Sequence, residues 1–354
     1  MKPPGIHDIA RALGVSIGTV DRAFHGRPGI NPATRARVLK KAEELGYRPN
    51  IAARSLKLNR RLRIGVYFPR EIASFFDSLR AGVRAAASTS VGLSIDLVFR
   101  TFSRLDEGDV ELLKADASES FDGVLIAPGN PLRIAPALRG LAQRGIPVVC
   151  VSSDVPRSGR LASIAVDSLT SGAIAAELFS RIMQKPGSLA TITGELTTLD
   201  HAEKLRGFAA NLALFAPHLS LQPAIESHEQ PELAHKQAMA LLRRAKRPAG
   251  IYLSTANSIP VLRALEETKL LGEVQVITTD LFPELVPYIE TGNVLATLYQ
   301  RPFVQGKTAL EILLNHLVNG TKPDPIRRLA PHIVLRSNIG LFAREIDTPG
   351  EFFV

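Results

Sequence analysis

From residue 63 to residue 318 the chain alternates short apolar runs with longer stretches that repeat at helical spacing, a pattern few folds can accommodate. The runs that read as strands lie at 63–68, 93–99, 123–128, 146–151, 163–167, 189–194, 249–254, 274–279 and 294–299. Helical stretches fall between them at 77–89, 131–144, 169–184, 200–214, 231–245, 258–270 and 303–318. Strand and helix in succession predict parallel sheets covered by helices on both faces. Sheets of this kind bind ligands outside the carboxyl ends of their strands. About 290 residues are too many for one such sheet and suit two. The expected fold class is therefore α/β, with a body of doubly wound parallel sheets.

The start of the chain differs in charge. The net charge is +9 over 354 residues, and it is not evenly spread. Residues 1–63 hold four Lys and ten Arg against Asp8, Asp21, Glu43 and Glu44, so they carry +10 and the remainder −1. A basic block joined to a near-neutral body points to one module for a polyanion and a second for something else.

The basic block is patterned as three short helices. Ile6, Ile9, Ala10 and Leu13 recur at helical spacing, and Gly14 can supply a left-handed stop. Ser16 fits an N-cap, and Val20, Ala23 and Phe24 form the apolar face of the second helix. Asn31-Pro32 is a further start signal, for a helix through Ala36, Val38, Leu39, Ala42 and Leu45 that stops at Gly46. Two short helices joined by a glycine-containing turn make a helix-turn-helix, whose second helix enters the major groove of DNA. Ile17, Gly18, Asp21 and Arg22 are left facing outward, and Arg22 can donate two bonds to guanine O6 and N7. Ser16, Thr19 and His25 suit phosphates.

These residues resemble the N-terminus of lac-repressor-family bacterial transcription regulators. The likeness is contiguous over about 50 residues and is carried by the blocks DIARALGVS, TRARVL and ELGYRPN. Gly18 stands where the family commonly has a larger base-reading side chain, and Asp21 where it has serine. The expected DNA-binding domain is 1–48, followed by a linker over 49–61. Within the linker Ile51, Ala52, Ala53 and Leu56 form one apolar stripe after the capping residue Asn50. The stripe is too short for a stable isolated helix. The resemblance implies a hinge helix that forms when two copies meet on DNA. Leu56 would wedge into the minor groove beside Asn50, Ala53 and Arg54.

The remainder resembles the sugar-binding half of the same family and the related periplasmic sugar-binding proteins. The motifs are FFDSLRAGV, FDGVLIAP, RGIPVVCV, EKLRGF, STANSIPVLRAL and ATLYQRPFVQGKTALEILL. The resemblance implies two lobes within 62–354, with crossings near Ser163, Glu290 and Arg327. Lobe one would hold about 62–162 and 291–326, and lobe two about 163–290 and 327–354. A ligand would sit between them. Carried over position by position, the resemblance nominates Phe75, Ser152, Asp154, Lys204, Asn257, Asp280 and Gln300 as effector contacts. Phe75 matches an aromatic that packs on a sugar face. Lys204 takes the place of a ligand-binding arginine, and Ser152 lies where an acid is frequent. Amides, carboxylates and a cation beside an aromatic suit a polyhydroxylated ligand, since each hydroxyl both donates and accepts.

Other chemistry finds little support. Gly306-Lys307-Thr308 lacks the earlier glycine of a phosphate loop, with Arg301 in its place. No GxGxxG follows the first strand and no GxSxG is present. The eight histidines match no zinc spacing; His228 and His235 are the nearest pair. The single cysteine, Cys150, excludes an internal disulfide and reads as core. No run of about 18 apolar residues exists, and the start lacks a secretory h-region. The expectation is a cytoplasmic, non-enzymatic regulator without cofactor, metal or membrane contact. It would bind a near-palindromic operator as a homodimer, since no heptad repeats follow residue 340, and respond to a sugar or sugar derivative. A transport-type sugar-binding protein is the alternative; the basic head and the missing secretory signal argue against it.

Overall fold

The alternation folds into two separate sheets. A computed structural model describes residues 6–25, 29–45 and 61–342. The chain divides into two compact units; the N-terminal helices belong to the first and both sheets to the second. The N-terminal helices are α1 (Ile6–Leu13), α2 (Ile17–His25) and α3 (Pro32–Glu44). Ile9, Ala10, Val20, Ala23, Val38 and Ala42 form their small core.

The body begins with β1 (Leu62–Pro69), α4 (Ala73–Thr89), β2 (Ile95–Phe102), α5 (Asp109–Ala115), β3 (Gly123–Ile126), α6 (Pro131–Gln143), β4 (Val148–Val151) and β5 (Ala162–Val166). It continues with α7 (Ser168–Ile182), β6 (Gly187–Thr193), α8 (Leu199–Phe215), β7 (Leu219–Leu221), β8 (Ile225–Glu226), α9 (Pro231–Leu242) and β9 (Gly250–Leu253). Next come α10 (Ile259–Glu267), β10 (Gln275–Thr279), α11 (Val286–Glu290) and β11 (Ala296–Tyr299). The last elements are α12 (Pro302–Asn319), β12 (Ile326–Leu329) and β13 (His332–Val334). The first sheet has the order β12-β5-β4-β3-β1-β2, all parallel. The second has the order β13-β11-β10-β9-β6-β7, with β8 also on β6 and only β13 antiparallel. Both are doubly wound. The strand order reverses between β1 and β3 in one and between β6 and β9 in the other, which is where such sheets open a crevice.

The crossings between lobes differ from those expected. Ser163 lies inside β5, which still pairs with β4 in the first sheet, so the first crossing falls at Asp167. β11, beyond Glu290, remains in the second sheet on β10, which moves the second crossing to Gln300–Arg301. Arg327 belongs to β12, paired with β5, so the third crossing falls after Leu329. A strand's own residues predict that it is a strand, whereas its sheet depends on partners far away in the chain.

Alternate residues of the second sheet supply two cores. Leu189, Tyr252, Ile277 and Leu298 pack with Phe179 of α7 and Phe208 of α8. Ile192, Ile251, Leu253 and Val276 pack with α9 and α10 on the other face. In the first sheet Val124, Ile126, Val148 and Cys150 pack with α5 and α6. Among the described residues no helix is long and apolar enough to cross a membrane.

Two glycines set the spacing of α7 and α8. A Cβ at Gly172 would lie 2.0 Å from the carbonyl oxygen of Lys204, and one at Gly207 would lie 2.2 Å from that of Leu169. The obstacle is backbone in both cases, so it cannot rotate away. Gly172→Ala should therefore cost more than the roughly 1–3 kcal/mol of ordinary overpacking. Urea unfolding of the variant measures it; wild-type stability would mean that the two helices are free to part.

Candidate functional site

Two places bring together the residues the sequence nominates. The first is the N-terminus of α2. Gly14 takes a left-handed backbone, with φ of 63°. The Ser16 hydroxyl accepts the Thr19 backbone N–H at 3.1 Å, which caps α2 as expected. Asn31 Oδ1 likewise accepts the Ala33 N–H at 2.8 Å and starts α3. Ser16, Ile17 and Gly18 are exposed, Ile17 at 46%, while Thr19, Asp21 and Arg22 are half-buried. A Cβ at Gly18 would meet Ser16 Oγ at 3.8 Å and the Arg22 guanidinium at 3.9 Å, ordinary contacts that leave room for a side chain. His25 ends α2. Asn50, Ala53, Arg54 and Leu56 lie outside the described residues.

The second place is a cavity of about 30 Å³ in the body, room for about two waters. Strand ends of both sheets line it. Phe75, with Ile72 and Phe76, comes from the turn after β1 and the start of α4, and Ser152 follows β4. Asp200, His201 and Lys204 come from α8, Glu229 follows β8, Asp280 follows β10, and Gln300 follows β11. Phe75 and Phe76 meet edge to face, with centroids 5.0 Å apart. Ile72, Ser152, Glu229 and Asp280 all have positive φ, between 55° and 69°. Left-handed backbone at non-glycine residues carries strain and concentrates at binding sites.

Charge in this cavity is deeply buried. Lys204 is 1% exposed, and its Nζ donates to Asp200 Oδ2 at 2.7 Å. Ser168 donates to the other Asp200 oxygen. Burial works to raise the Asp200 carboxyl, but the charges of Lys204 and His201 and these two bonds outweigh it and hold it low. Asp280 is opposite in sign of shift. Burial pushes its carboxyl up to about 6, against Lys204 and two bonds from Gln300, from its N–H at 3.1 Å and its Nε2 at 2.6 Å. Burial likewise raises Glu229, whose Oε2 accepts from Thr255 at 2.7 Å. His201 Nδ1 accepts the Glu195 backbone N–H at 2.9 Å, and its Nε2 stands 3.3 Å from Glu229 Oε1.

Two nominated residues lie elsewhere. Asp154 lines a neighbouring crevice with Ser168 and Arg328, and its carboxylate is taken by Arg160, whose Nη2 is 2.6 Å away. Asn257 is half-buried and is not among the cavity's lining residues, whereas its neighbour Ala256 is. Sequence reading missed Asp200, His201 and Glu229. Asp200 and Lys204 are spaced i, i+4 on an expected helix, a pattern that signals an ion pair. Glu229 had no such signal, since it lies in the loop three residues beyond a two-residue strand. The histidines part company: His235 pairs with Glu267 at 3.0 Å, while His228, Glu195 and Glu226 place ligand atoms within 4.8 Å of one another.

Comparison with known proteins finds matches for both parts of the chain. Residues 5–50 match the model of bacterial regulatory proteins of the lacI family, and residues 64–322 match that of a periplasmic binding protein domain. The HTH-type transcriptional repressor PurR of Aliivibrio fischeri (strain MJ11) is 27% identical over 349 residues, covering 94% of this chain and 98% of that repressor. Catabolite control protein A of Priestia megaterium is 25% identical over 251 residues, 71% of this chain and 73% of that protein. Among solved structures, a solute binding protein of Agrobacterium vitis bound with alpha-D-tagatopyranose has a TM-score of 0.73 at 21% identity, covering 80% of this chain and 98% of its own. A Bacillus halodurans C-125 solute binding protein with bound myo-inositol has a TM-score of 0.73 at 15% identity and the same coverage.

Asp280 makes a pH prediction. Its carboxyl is raised from 3.8 to about 6 in the folded chain. The folded state thus keeps a proton that the unfolded state has released. This contribution to stability is full below about pH 4 and is lost as pH rises through about 6. Asp280→Asn should remove it, so that the variant loses less stability than wild type between these pH values in urea unfolding. Parallel pH profiles would mean that Asp280 ionises normally.

Proposed function

Since the chain belongs to the periplasmic binding protein domain family and carries a lacI-family regulatory domain at its N-terminus, we propose that it is a DNA-binding transcriptional repressor controlled by a small effector. The observation that carries this reading is the pairing of a basic helix-turn-helix head with a body whose strand ends converge on one polar cavity. The relatives named as a transcriptional repressor and a catabolite control protein support the regulatory role. The body also has the fold of transport binding proteins, but a module with ten excess positive charges in 63 residues has no use in carrying a solute.

In this proposal two heads of a cytoplasmic homodimer occupy a near-palindromic operator. Residues 1–48 form the head and 49–61 the hinge. Arg22 reads guanine, and Asp21 accepts from a cytosine amine. The exposed Ile17 offers an apolar contact for a thymine methyl. Ser16, Thr19 and His25 hold phosphates, and Leu56 wedges the minor groove with Asn50, Ala53 and Arg54 beside it. The effector is a polyol of the sugar class. Phe75 packs on its face, and Ser152, Lys204, Asp280 and Gln300 hold its hydroxyls; the bound tagatopyranose and myo-inositol of the fold neighbours support that class. A cavity of about 30 Å³ has to widen for such a molecule, so binding is coupled to movement of the lobes. Coupling of about 1–3 kcal/mol is enough for regulation. The reading needs no enzymatic step, cofactor or metal.

Deleting residues 1–60 should abolish operator binding in a gel-shift assay and leave effector binding by the body intact. DNA affinity retained by the truncated chain would overturn the two-module account. Leu56→Ala should weaken specific binding more than non-specific binding; equal loss in both would remove the wedge.

A further inference from the structure

The loops that follow β6 and β8 bring a histidine and two glutamates together. β8 lies parallel to β6, with Thr193 opposite Glu226. The pairing continues past both strands, since the Ser227 N–H donates to the Thr193 carbonyl at 2.8 Å and the His228 N–H to that of Gly194 at 3.0 Å. Glu195 and His228 thus meet although 33 residues separate them in the chain, which is why sequence spacing gave no sign of them. His228 Nδ1 stands 2.8 Å from Glu195 Oε2, and Glu226 Oε2 accepts the Leu196 backbone N–H at 2.9 Å. One ligand atom from each of Glu195, Glu226 and His228 lies within 4.8 Å of the other two. None of the three is among the lining residues of the effector cavity.

Charge in this cluster is unbalanced. Two carboxylates share one imidazole. Among the described residues, the ion pair between Glu195 and His228 is the only one that either glutamate makes. The other Glu195 oxygen, Oε1, meets the Thr197 hydroxyl at 3.2 Å, and Glu226 is held by a backbone N–H. These dipoles orient the carboxylates without neutralising them. The Glu195 side chain is only 15% exposed, so water compensates its charge poorly.

We propose that Glu195, Glu226 and His228 form a binding site for a divalent transition-metal ion of the zinc class, a function beyond the regulator reading. Zinc takes carboxylate oxygen and imidazole nitrogen at about 2.0–2.2 Å, which sets its donors about 3.3 Å apart. Donors that already lie between 2.8 and 4.8 Å of one another need only side-chain rotation to enclose such an ion. The ion takes the position between His228 Nδ1 and Glu195 Oε2, and the ring then carries its proton on Nε2. Its two charges balance the two carboxylates. Three protein ligands leave a further position to water, so the ion is exchangeable and not sealed in. Magnesium and calcium suit the site poorly, because they take six or more oxygen ligands and an imidazole selects softer ions. The bound ion ties together two loops that each carry a cavity wall. The Glu195 N–H donates to His201 Nδ1 at 2.9 Å, and His228 directly precedes Glu229.

Titration calorimetry of the full-length chain, freed of metal by chelation, tests this at pH 7 with zinc chloride. Cobalt(II) chloride serves as a second probe, because its visible spectrum reports the ligands around the ion. Zinc should bind and raise Tm, and cobalt should give the intense bands of a four- or five-coordinate ion. Glu195→Gln, Glu226→Gln and His228→Asn should each weaken zinc about tenfold or more, at least the loss that follows removal of an outer-shell partner. The glutamines keep an oxygen that accepts hydrogen bonds, and asparagine tolerates the left-handed backbone of His228, with φ of 50°. His235→Gln alters the histidine that pairs with Glu267 and should bind zinc as wild type does. Magnesium chloride should give no comparable binding. The proposal is overturned if the chain takes up no zinc, or if magnesium binds as tightly. It is also overturned if the three cluster variants bind zinc as well as wild type, or if His235→Gln loses as much as His228→Asn; either result means an adventitious ion only. Should a cluster variant fail to fold, the wild-type cobalt spectrum decides, since the weak bands of the hydrated ion exclude ligation by the protein.

Discussion

The inner face of the second lobe depends on one buried ammonium. Lys204 is 1% exposed, and removing a charge from water costs several kcal/mol unless a partner compensates it closely. Asp200, one turn earlier on α8, is that partner, and Ser168 at the start of α7 fixes the carboxylate from behind. The same stretch of α8 is held against α7 by Gly172, which packs on the carbonyl of Lys204 itself. Packing and charge thus converge on one residue. Helix spacing sets where the ammonium stands, and the ammonium keeps Asp200 ionised. Burial at the same face outweighs the opposing charge of Lys204 and leaves Asp280 easier to protonate.

The elements of the body were largely legible because their signals are local. An apolar run of four to eight residues, or an apolar stripe at helical spacing, declares itself without reference to the rest of the chain. Expected strands such as 63–68 and 274–279 match β1 and β10 within a residue. What could not be read is which sheet each strand joins. β5, β11 and β12 all fell on the unexpected side of a crossing, because parallel pairing is chosen among distant partners. Very short elements were invisible too. β8 has two residues and α5 seven, too few to establish a period.

The site divides along the same line. Ser152, Asp280 and Gln300 stand directly after strands, where a doubly wound sheet brings its ligand contacts, and all three line the cavity. Asp154 also follows a strand, yet Arg160 folds back onto it, a pairing that only the loop's path reveals. Glu229 owes its place to a positive φ of 56° after a two-residue strand. A residue held in a sparsely populated conformation is placed by its surroundings, so its own sequence neighbourhood carries little information about it.

Gln300 connects the cavity to the joint between the lobes. It donates two bonds to Asp280, and the next residue, Arg301, takes a positive φ of 56° where the chain leaves the second sheet for α12. One of the three crossings therefore starts at a residue that also lines the ligand cavity. The first crossing is similarly anchored, since Asp167 caps α7 by accepting the Thr170 N–H at 2.8 Å, just ahead of Ser168, which holds Asp200. A ligand that changes the bonding of Asp280 or Asp200 thus acts within one or two residues of two crossings. No long relay through the core is required.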